Sequence, residues 1–269
     1  MNIKELKAIV QKVDLSADNV FELLVSNFLN LDKLPIFYCP LKIEYPLYRT
    51  RMNVNCSNFE NISDLSCPPK NLIKEFSRAN KPLQRFLYLS DNIETNFAEL
   101  MPHWLKEIPV GDIIFLTTGV WKIKQTINVA IILDLENQKM AKNFPSSKFT
   151  LTEDERIFFE FINSYFKEIG YNNSNIYKVT SAFCNAILIQ DTFNGKKLDG
   201  ILYTSVHNSN GWNIAVLPEV AESNKIVLMS VIKHFINKSG YSNSKPIYNN
   251  IIEPIAAAEI NHENGKILW

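Results

Sequence analysis

Apolar residues recur every three to four positions in several segments of the chain, which is the spacing of one face of an α-helix. This pattern predicts helices over residues 3–13, 18–30, 91–102, 152–169, 176–190 and 224–237, with a helical turn at 71–76. Polar residues at three predicted starts are typical N-caps. They are Ser16 or Asp18 before the second helix, Asp91 with Glu94 as a capping box, and Thr152.

Between the helices the pattern changes to short segments rich in β-branched and aromatic residues, which favour strands. Strands are predicted at 43–52, 86–89, 112–121, 128–135, 199–205 and 211–219. Residues 53–70, rich in Asn, Ser and Pro, are predicted to form a loop, and the tail from 239 to about 253 to be irregular. Because helices and strands are mixed without a repeat or a low-complexity linker, the sequence predicts one α+β domain covering residues 1–269.

Composition narrows the function mainly by exclusion. Lys+Arg and Asp+Glu both number 28, which argues against binding nucleic acid or an anionic membrane through a basic excess. The four cysteines form no CxxC pair and the four histidines no HExxH motif, so no metal site is expected. The N-terminal segment carries charges among its apolar residues, unlike a signal peptide, and no apolar run is long enough to span a membrane. We therefore expect a cytoplasmic protein with reduced thiols.

Three side chains of different chemistry follow one another at short spacing: Arg78, Tyr88 and Glu99, ten and eleven residues apart. Each has an ordinary structural interpretation. Arg78 lies in a turn-prone segment, where an arginine is commonly a surface charge, and Tyr88 lies in a strand, where a tyrosine commonly belongs to the core. Glu99 lies off the apolar face of its predicted helix, so periodicity alone predicts a solvated surface glutamate.

Other polar residues raise similar questions. Arg49 and Arg51 alternate along a predicted strand and would share one face, where they are either solvated or directed at an anion. Ser205 ends a predicted strand two residues before His207. A Ser-x-His pair suggests a hydrolase, but no nucleophile elbow of the GxSxG type surrounds it.

The combination of these residues suggests one chemistry. Arginines can anchor a pyrophosphate, a tyrosine can stack on a flat ring, and a carboxylate beside a sugar can stabilise an oxocarbenium-like transition state. These are the needs of a site that breaks the nicotinamide–ribose bond of NAD. Nicotinamide leaves as a neutral ring, so the reaction requires neither a strong general acid nor a metal.

Several separated motifs carry a resemblance to a known family. They are LYRTR (47–51), CPPKNL (67–72), FSRAN (76–80), FLYLSDNIETNFAE (86–99), DGILYTS (199–205) and GWNIAVLPE (211–219). Together they resemble the RES domain family, over roughly residues 45–220. The resemblance implies an ADP-ribosyltransferase-like fold, with a split mixed β-core and surrounding helices around an NAD cleft. Residues 1–40 would be a helical N-terminal extension and 221–269 a helical and irregular C-terminal one.

The resemblance also implies roles for individual residues. Arg78 would bind an NAD phosphate or the ribose, Tyr88 would pack on the nicotinamide side, and Glu99 would act on the ribose. Ser205 would help to hold that ribose. The remaining implied NAD-binding positions are Arg49 or Arg51, between which the sequence does not choose, and Asn80, Tyr203 and Asn213.

The function implied is NAD degradation by hydrolysis or phosphorolysis, with NAD as substrate rather than cofactor. The family consists of toxins of bacterial toxin–antitoxin pairs, so an Xre-type antitoxin from a neighbouring gene would be the protein partner, or the enzyme would act in another setting such as phage defence. Two other functions stay open at this point. One is an ADP-ribosyltransferase that modifies a protein, and the other is an inactive RES-like module that binds a nucleotide or a partner. Oligomeric state is also left open.

Overall fold

Helices surround a mixed β-sheet in the computed structural model, and the α+β class predicted from the sequence is confirmed. The structure describes residues 1–42, 44–53, 57–106, 109, 111–136, 151–169, 173–190, 195, 197–242, 245–248 and 253–269. No helix in these ranges is both long and apolar enough to cross a lipid bilayer.

The helices follow the predicted order at most positions, and capping boxes start the first and fifth of them. Asn2 with Glu5 starts the first helix, and Thr152 with Glu155 starts the fifth, as predicted for Thr152. The second helix begins after Asn19 without a side-chain cap, so the predicted cap at Ser16 or Asp18 was wrong. The α-helices of the described chain are α1 (Ile3–Lys12), α2 (Val20–Leu29), α3 (Ile62–Leu65), α4 (Ile93–Lys106), α5 (Glu153–Phe166), α6 (Tyr177–Ile189) and α7 (Pro218–Glu222).

The strands include all those predicted and several that were not. Their bounds are β1 (Phe37–Leu41), β2 (Leu47–Met52), β3 (Leu87–Ser90), β4 (Ile113–Ile123), β5 (Ile127–Ile131), β6 (Gly200–Thr204), β7 (Trp212–Val216), β8 (Ile226–Ser242), β9 (Lys245–Tyr248), β10 (Glu253–Asn261) and β11 (Lys266–Leu268). The unpredicted β1 contains Pro40, which an edge strand tolerates because one side of it donates no ladder hydrogen bonds.

The sheet is divided near its middle. Its strand order is β1-β5-β6-β7-β3-β2-β4-β8-β10-β11, with β9 paired to β8, and the β5–β6 pair is parallel while the others described are antiparallel. β2 pairs with β4 over six positions, but with β3 only where Tyr48 faces Ser90. The two halves of the sheet therefore diverge between β2 and β3 and leave room for a cavity.

The C-terminal part of the chain differs most from prediction. Residues 224–237 were predicted to be helical, and they form most of β8, which pairs with β4 from Ile226 to Asn237. The tail predicted to be irregular contains the end of β8 and all of β9. The run IVLMSVI (226–232) alternates between more and less buried residues except at a bulge around Met229, and in so apolar a segment this strand period is hard to separate from helical spacing.

The start of α4 also differs from prediction. Asn92, not Asp91, caps this helix, because the Asn92 side chain accepts a hydrogen bond from the backbone N–H of Thr95 (2.7 Å). The Asp91 carboxylate instead accepts from the backbone N–H of Trp212 (3.2 Å). Asp91 therefore joins the turn between β3 and α4 to β7, the strand that pairs with β3.

A small apolar layer attaches α4 to β4 and β8. It contains Phe97, Ile114, Leu116 and Ile236. His234 lies beside this layer with only 4% of its surface exposed, and its ring meets that of Phe97 edge-on at 5.5 Å. Neither ring nitrogen has a hydrogen-bond partner among the described residues, and burial lowers the pKa of the imidazole from 6.5 to about 4.

We expect this histidine to make the fold sensitive to acid. Between pH 6.5 and 4 the unfolded chain binds a proton at His234 that the folded chain does not, so stability falls as the pH falls through this window. The loss at His234 approaches about 3 kcal/mol at full titration. Denaturant unfolding at pH 7 and 4.5 should show a smaller pH-dependent loss for His234→Leu than for wild type. The exposed His262 provides the control, since His262→Leu should behave like wild type. Equal losses for wild type and His234→Leu would contradict this assignment.

Candidate active site

A cavity of about 270 Å³ lies where the two halves of the sheet diverge. Side chains from β2, β3, β6, β7 and α4 line it, together with the turn before β3. The lining residues are Arg49, Thr50, Ser77, Arg78, Tyr88, Ser90, Asn96, Glu99, Leu100, Tyr203 and Asn213. The cavity therefore brings together elements that are up to 164 residues apart in the sequence.

Glu99 is held in the wall of this cavity, contrary to the surface position that periodicity predicts. Only 15% of its side chain is exposed. Its Oε1 atom accepts three hydrogen bonds: from the Ser205 hydroxyl (2.6 Å), the Val206 backbone N–H (3.0 Å) and the Asn213 amide (3.0 Å). The surface prediction was wrong because β7 and the loop after β6 cover this face of α4. The three donors orient the carboxylate and leave its Oε2 atom for the cavity.

A chain of amide and hydroxyl groups supports Glu99 from one side. The Asn96 amide donates to the Ser90 hydroxyl (3.2 Å), and this hydroxyl donates to the Asn213 side-chain oxygen (2.7 Å). The Asn213 amide then donates to Glu99. Ser90 and Asn213 each use both a donor and an acceptor in this chain, so the network links α4, β3 and β7.

The loop from Ser205 to Gly211 supports Glu99 from the other side. The Ser205 hydroxyl accepts from the Asn208 backbone N–H (3.0 Å), and the Asn208 amide donates to the Thr95 hydroxyl on α4 (2.8 Å). Gly211 approaches α4 so closely that a Cβ there would lie 2.1 Å from the Thr95 hydroxyl oxygen. Ser205 is 3% exposed and lies behind Glu99, not on the cavity wall. The contacts of Ser205 fit a residue that positions the carboxylate.

Arg78 lies opposite Glu99 and is fixed by the end of α5. Its Nε atom donates to the Phe166 carbonyl (3.1 Å) and its Nη2 atom to the Glu168 carbonyl (3.2 Å), and its guanidinium lies 5.3 Å from the centre of the Tyr177 ring. The carbonyl end of a helix favours a cation. The remaining Nη1 atom lies 4.0 Å from Glu99 Oε2, so the cation and the carboxylate face each other inside the cavity.

Tyr88 forms part of the cavity wall, and its hydroxyl is already engaged. The hydroxyl donates to the Asn80 side-chain oxygen (2.7 Å) and accepts from the Ala79 backbone N–H (3.3 Å). Burial raises the pKa of this phenol well above its usual value. Asn80 itself is buried and does not line the 270 Å³ cavity. Asn80 therefore fixes Tyr88, whose ring is the part available to a ligand.

The two arginines of β2 have different surroundings, and these show which of the two can contact a ligand, a choice that the sequence left open. Arg49 lines the cavity, and its buried Nε atom has no hydrogen-bond partner among the described residues. Burial and the neighbouring charge of Arg51 lower the pKa of Arg49 to about 10, so Arg49 is still a cation at neutral pH. Arg51 donates to the Asp64 carbonyl and lies 5.3 Å from the ring centre of Phe59. Arg49 is therefore the one available to an anionic ligand.

Sequence reasoning missed several lining residues, of which Asn96 is the most informative. Asn96 precedes Glu99 by three positions on α4, a spacing that places both on one side of a helix and that could have been noticed. Its side-chain oxygen is buried and has no partner among the residues described. Asn96 and Arg49 thus both line the cavity, and each contains a buried polar atom without a partner among the described residues. The other missed residues are Thr50, Ser77, Ser90 and Leu100.

The arrangement can bind an anion and act on a group bearing hydroxyls. Arg49 supplies a buried cation, Glu99 an oriented carboxylate oxygen, and the rings of Tyr88 and Tyr203 apolar surface. No group of three or more side chains able to hold a metal ion occurs in the described parts of the chain. The groups present suit a substrate that carries phosphate, sugar and a flat ring.

Comparison with known proteins identifies a family. The family model for the RES domain matches residues 63–234, which is more than half of the chain. The match includes Arg78, Tyr88, Glu99 and Ser205, while Arg49 lies before its first residue. No curated protein matches the chain.

Proposed function

The chain belongs to the RES domain family, and from this premise we propose that it cleaves the nicotinamide–ribose bond of NAD. One observation carries the proposal: the Glu99 carboxylate, held by three donors on Oε1, directs Oε2 into a cavity that is also lined by Arg78 and by Arg49, whose Nε atom has no partner in the described parts of the chain. A carboxylate in this position suits a reaction in which positive charge develops on a sugar.

In the proposed reaction, the nicotinamide-bearing ribose lies against Glu99. The C1–N bond breaks first, its electron pair leaves with the nicotinamide, and the ribose becomes an oxocarbenium-like cation. Glu99 Oε2 stabilises this cation, or accepts a hydrogen bond from a ribose hydroxyl, without moving. Water then adds to C1 and releases a proton to the solvent, which gives ADP-ribose, or inorganic phosphate adds through an oxygen and gives ADP-ribose 1-phosphate. The Glu99 support from Ser205 and Asn213 matters because a displaced carboxylate would stabilise the cation less.

In this proposal the arginines bind the pyrophosphate of NAD. Arg49 lines the cavity and has no carboxylate partner among the described residues, so a phosphate oxygen there would balance its charge. Arg78 donates two of its groups to carbonyls of the α5 end, and so offers the rest of its guanidinium at a fixed position. Binding the phosphates at these points would place the ribose beside Glu99.

The biological setting is also a proposal. By analogy with its family, the protein would be a toxin that arrests growth by depleting NAD, neutralised by an Xre-type antitoxin from a neighbouring gene. The analogy is at family level, and a fold or family supports many settings for one site. Coexpression with the neighbouring gene's product, followed by a growth assay, tests this part separately from the chemistry.

Nicotinamide release tests the proposed reaction directly. The purified protein is incubated with NAD in buffers with and without inorganic phosphate, and nicotinamide and the sugar product are measured by chromatography. We expect nicotinamide release, with ADP-ribose in phosphate-free buffer identifying hydrolysis and ADP-ribose 1-phosphate identifying phosphorolysis. Labelled NAD that marks a protein without releasing free ADP-ribose would favour a protein ADP-ribosyltransferase. No consumption of NAD under any of these conditions would contradict the proposal.

A further inference from the structure

A second cavity, of about 500 Å³, adjoins the first and shares Ser77 and Tyr88 with it. The segment 68–75 forms most of its wall, with the start of β3 and the turn before it forming the rest. The lining residues are Pro68, Leu72, Ile73, Lys74, Glu75, Ser77, Asn80, Phe86 and Tyr88. No role for this cavity follows from the proposed reaction at Glu99 itself.

The first cavity is too small for a whole dinucleotide. Its 270 Å³ lies below the roughly 300–1,000 Å³ typical of pockets that bury a drug-sized ligand. If the nicotinamide ribose lies at Glu99, the remainder of the molecule must extend past the wall of this cavity. The second cavity lies beside the first at Ser77 and Tyr88, and the hydrogen bonds of the Tyr88 hydroxyl with Asn80 and Ala79 hold the ring between the two cavities.

The lining of the second cavity suits a nucleotide. Leu72 and Ile73, with Pro68 and Phe86, offer an apolar surface to a flat base, and Leu72 is 60% exposed, so its side chain is accessible to a ligand. Lys74 adds a positive charge for a phosphate, and Glu75 adds an acceptor for ribose hydroxyls or an amino group.

Hydrogen bonds also hold the segment 68–75, which forms most of the wall of the second cavity, in a fixed conformation. Lys70–Leu72 forms a 3₁₀ turn, and the Ile73 carbonyl accepts from the Leu83 backbone N–H (2.8 Å). The Arg85 side chain donates to the Pro68 carbonyl (3.2 Å). A cavity wall tied at both ends can bind a ligand without first paying the entropy of ordering a loop.

We infer that the second cavity binds the adenosine monophosphate half of NAD, with the base against Leu72 and Ile73 and with Lys74 near a phosphate. The inference rests on the proposed function for the choice of dinucleotide. Binding energy from this remote half would serve to position the ribose at Glu99, so its loss should lower the rate for the complete substrate.

A comparison of two substrates distinguishes loss of binding in the second cavity from a general loss of enzyme activity. NAD contains the adenosine monophosphate half, and nicotinamide mononucleotide lacks it. We expect Leu72→Asp and Lys74→Glu to lower kcat/KM for NAD by about tenfold or more and to leave kcat/KM for nicotinamide mononucleotide within about twofold. Lys70→Glu is the matched control, because Lys70 is exposed in the same turn, lines neither cavity, and undergoes the same change of charge. It should behave like wild type with both substrates.

Binding of adenosine monophosphate, measured by calorimetry, decides the inference whether or not NAD is cleaved. We expect wild type and Lys70→Glu to bind this nucleotide and Leu72→Asp to bind it about tenfold more weakly. If wild type binds it but cleaves no NAD, the proposed reaction fails and the nucleotide site stands. If wild type does not bind it, or if Leu72→Asp binds it as well as wild type does, the inference is overturned. Equal losses for the two substrates in Leu72→Asp would also overturn it.

Discussion

Replacing Glu99 with glutamine is expected to lower kcat for nicotinamide release by about 10²–10³-fold. The change removes the negative charge but keeps an oxygen that can accept from Ser205 and from the Val206 backbone N–H. The side chain should therefore stay near its native position, and KM for NAD should change much less than kcat. A selective loss of kcat is the pattern expected when an interaction acts in the transition state rather than in substrate binding.

Glu94 provides the matched control for this experiment. It lies on the same helix, five residues earlier, and is exposed. Glu94→Gln removes the same charge from α4 and should leave kcat unchanged. Circular dichroism and thermal unfolding of both variants establish that α4 is intact. A Glu99→Gln variant that keeps kcat within tenfold of wild type, while remaining folded, would show that the carboxylate takes no part in the chemistry.

Replacing Arg49 with methionine is expected to change activity and stability in opposite directions. Methionine fills similar space and removes a buried cation whose Nε atom has no partner among the described residues. The free energy of unfolding should therefore rise by about 1–3 kcal/mol. Loss of a phosphate contact should lower kcat/KM for NAD by about 10- to 10²-fold, since hydrogen bonds to charged groups are worth about 1.5–3 kcal/mol. Stability gained at the expense of function is expected where a site holds strain or unpaired charge for its ligand.

Arg51→Met, two residues along the same strand, is the control. It tests whether higher stability combined with lower activity is specific to Arg49→Met. Arg51 bonds the Asp64 carbonyl and stacks on Phe59, so its removal should lower the free energy of unfolding by about 1 kcal/mol and leave kcat/KM for the folded enzyme close to wild type. Denaturant unfolding and NAD kinetics on the two variants give the comparison. An Arg49→Met variant that is destabilised, or one that keeps full activity, would mean that Arg49 is a structural residue.

The elements predicted best are those whose signals are local. Helix α5 follows from Thr152, Glu155 and an apolar stripe, all within one segment, and β6 and β7 follow from short runs of apolar residues. β8 was mistaken for a helix because an apolar, β-branched run fits both periods, and its true conformation is set by pairing with β4, whose first paired residue precedes it by more than 100 positions. The pattern of residues within β8 alone does not indicate that this segment pairs with β4.

In the candidate site, too, the local sequence did not show which distant residues contact a given side chain. The motifs around Arg78, Tyr88 and Glu99 were sufficient to suggest the family and an NAD cleft. The motifs did not separate Arg49 from Arg51, since alternation along a strand gives both the same face. The structure separates them because Arg51 contacts Asp64 and Phe59, which come from the segment 53–70 that was predicted to be a loop, although Asp64 lies in α3.

By itself, the sequence determined the α+β class, most helices, the core strands and the family, because capping, periodicity and motif spacing are written in neighbouring residues. Only the tertiary structure decided where Glu99 lies. Its helix places it off the apolar face, and such a position is solvated unless another part of the chain covers it. Here β7 and the loop at Ser205 supply three hydrogen-bond donors from more than 100 residues away. Because these donors cover Glu99, its carboxylate is oriented in the candidate site instead of being exposed to solvent.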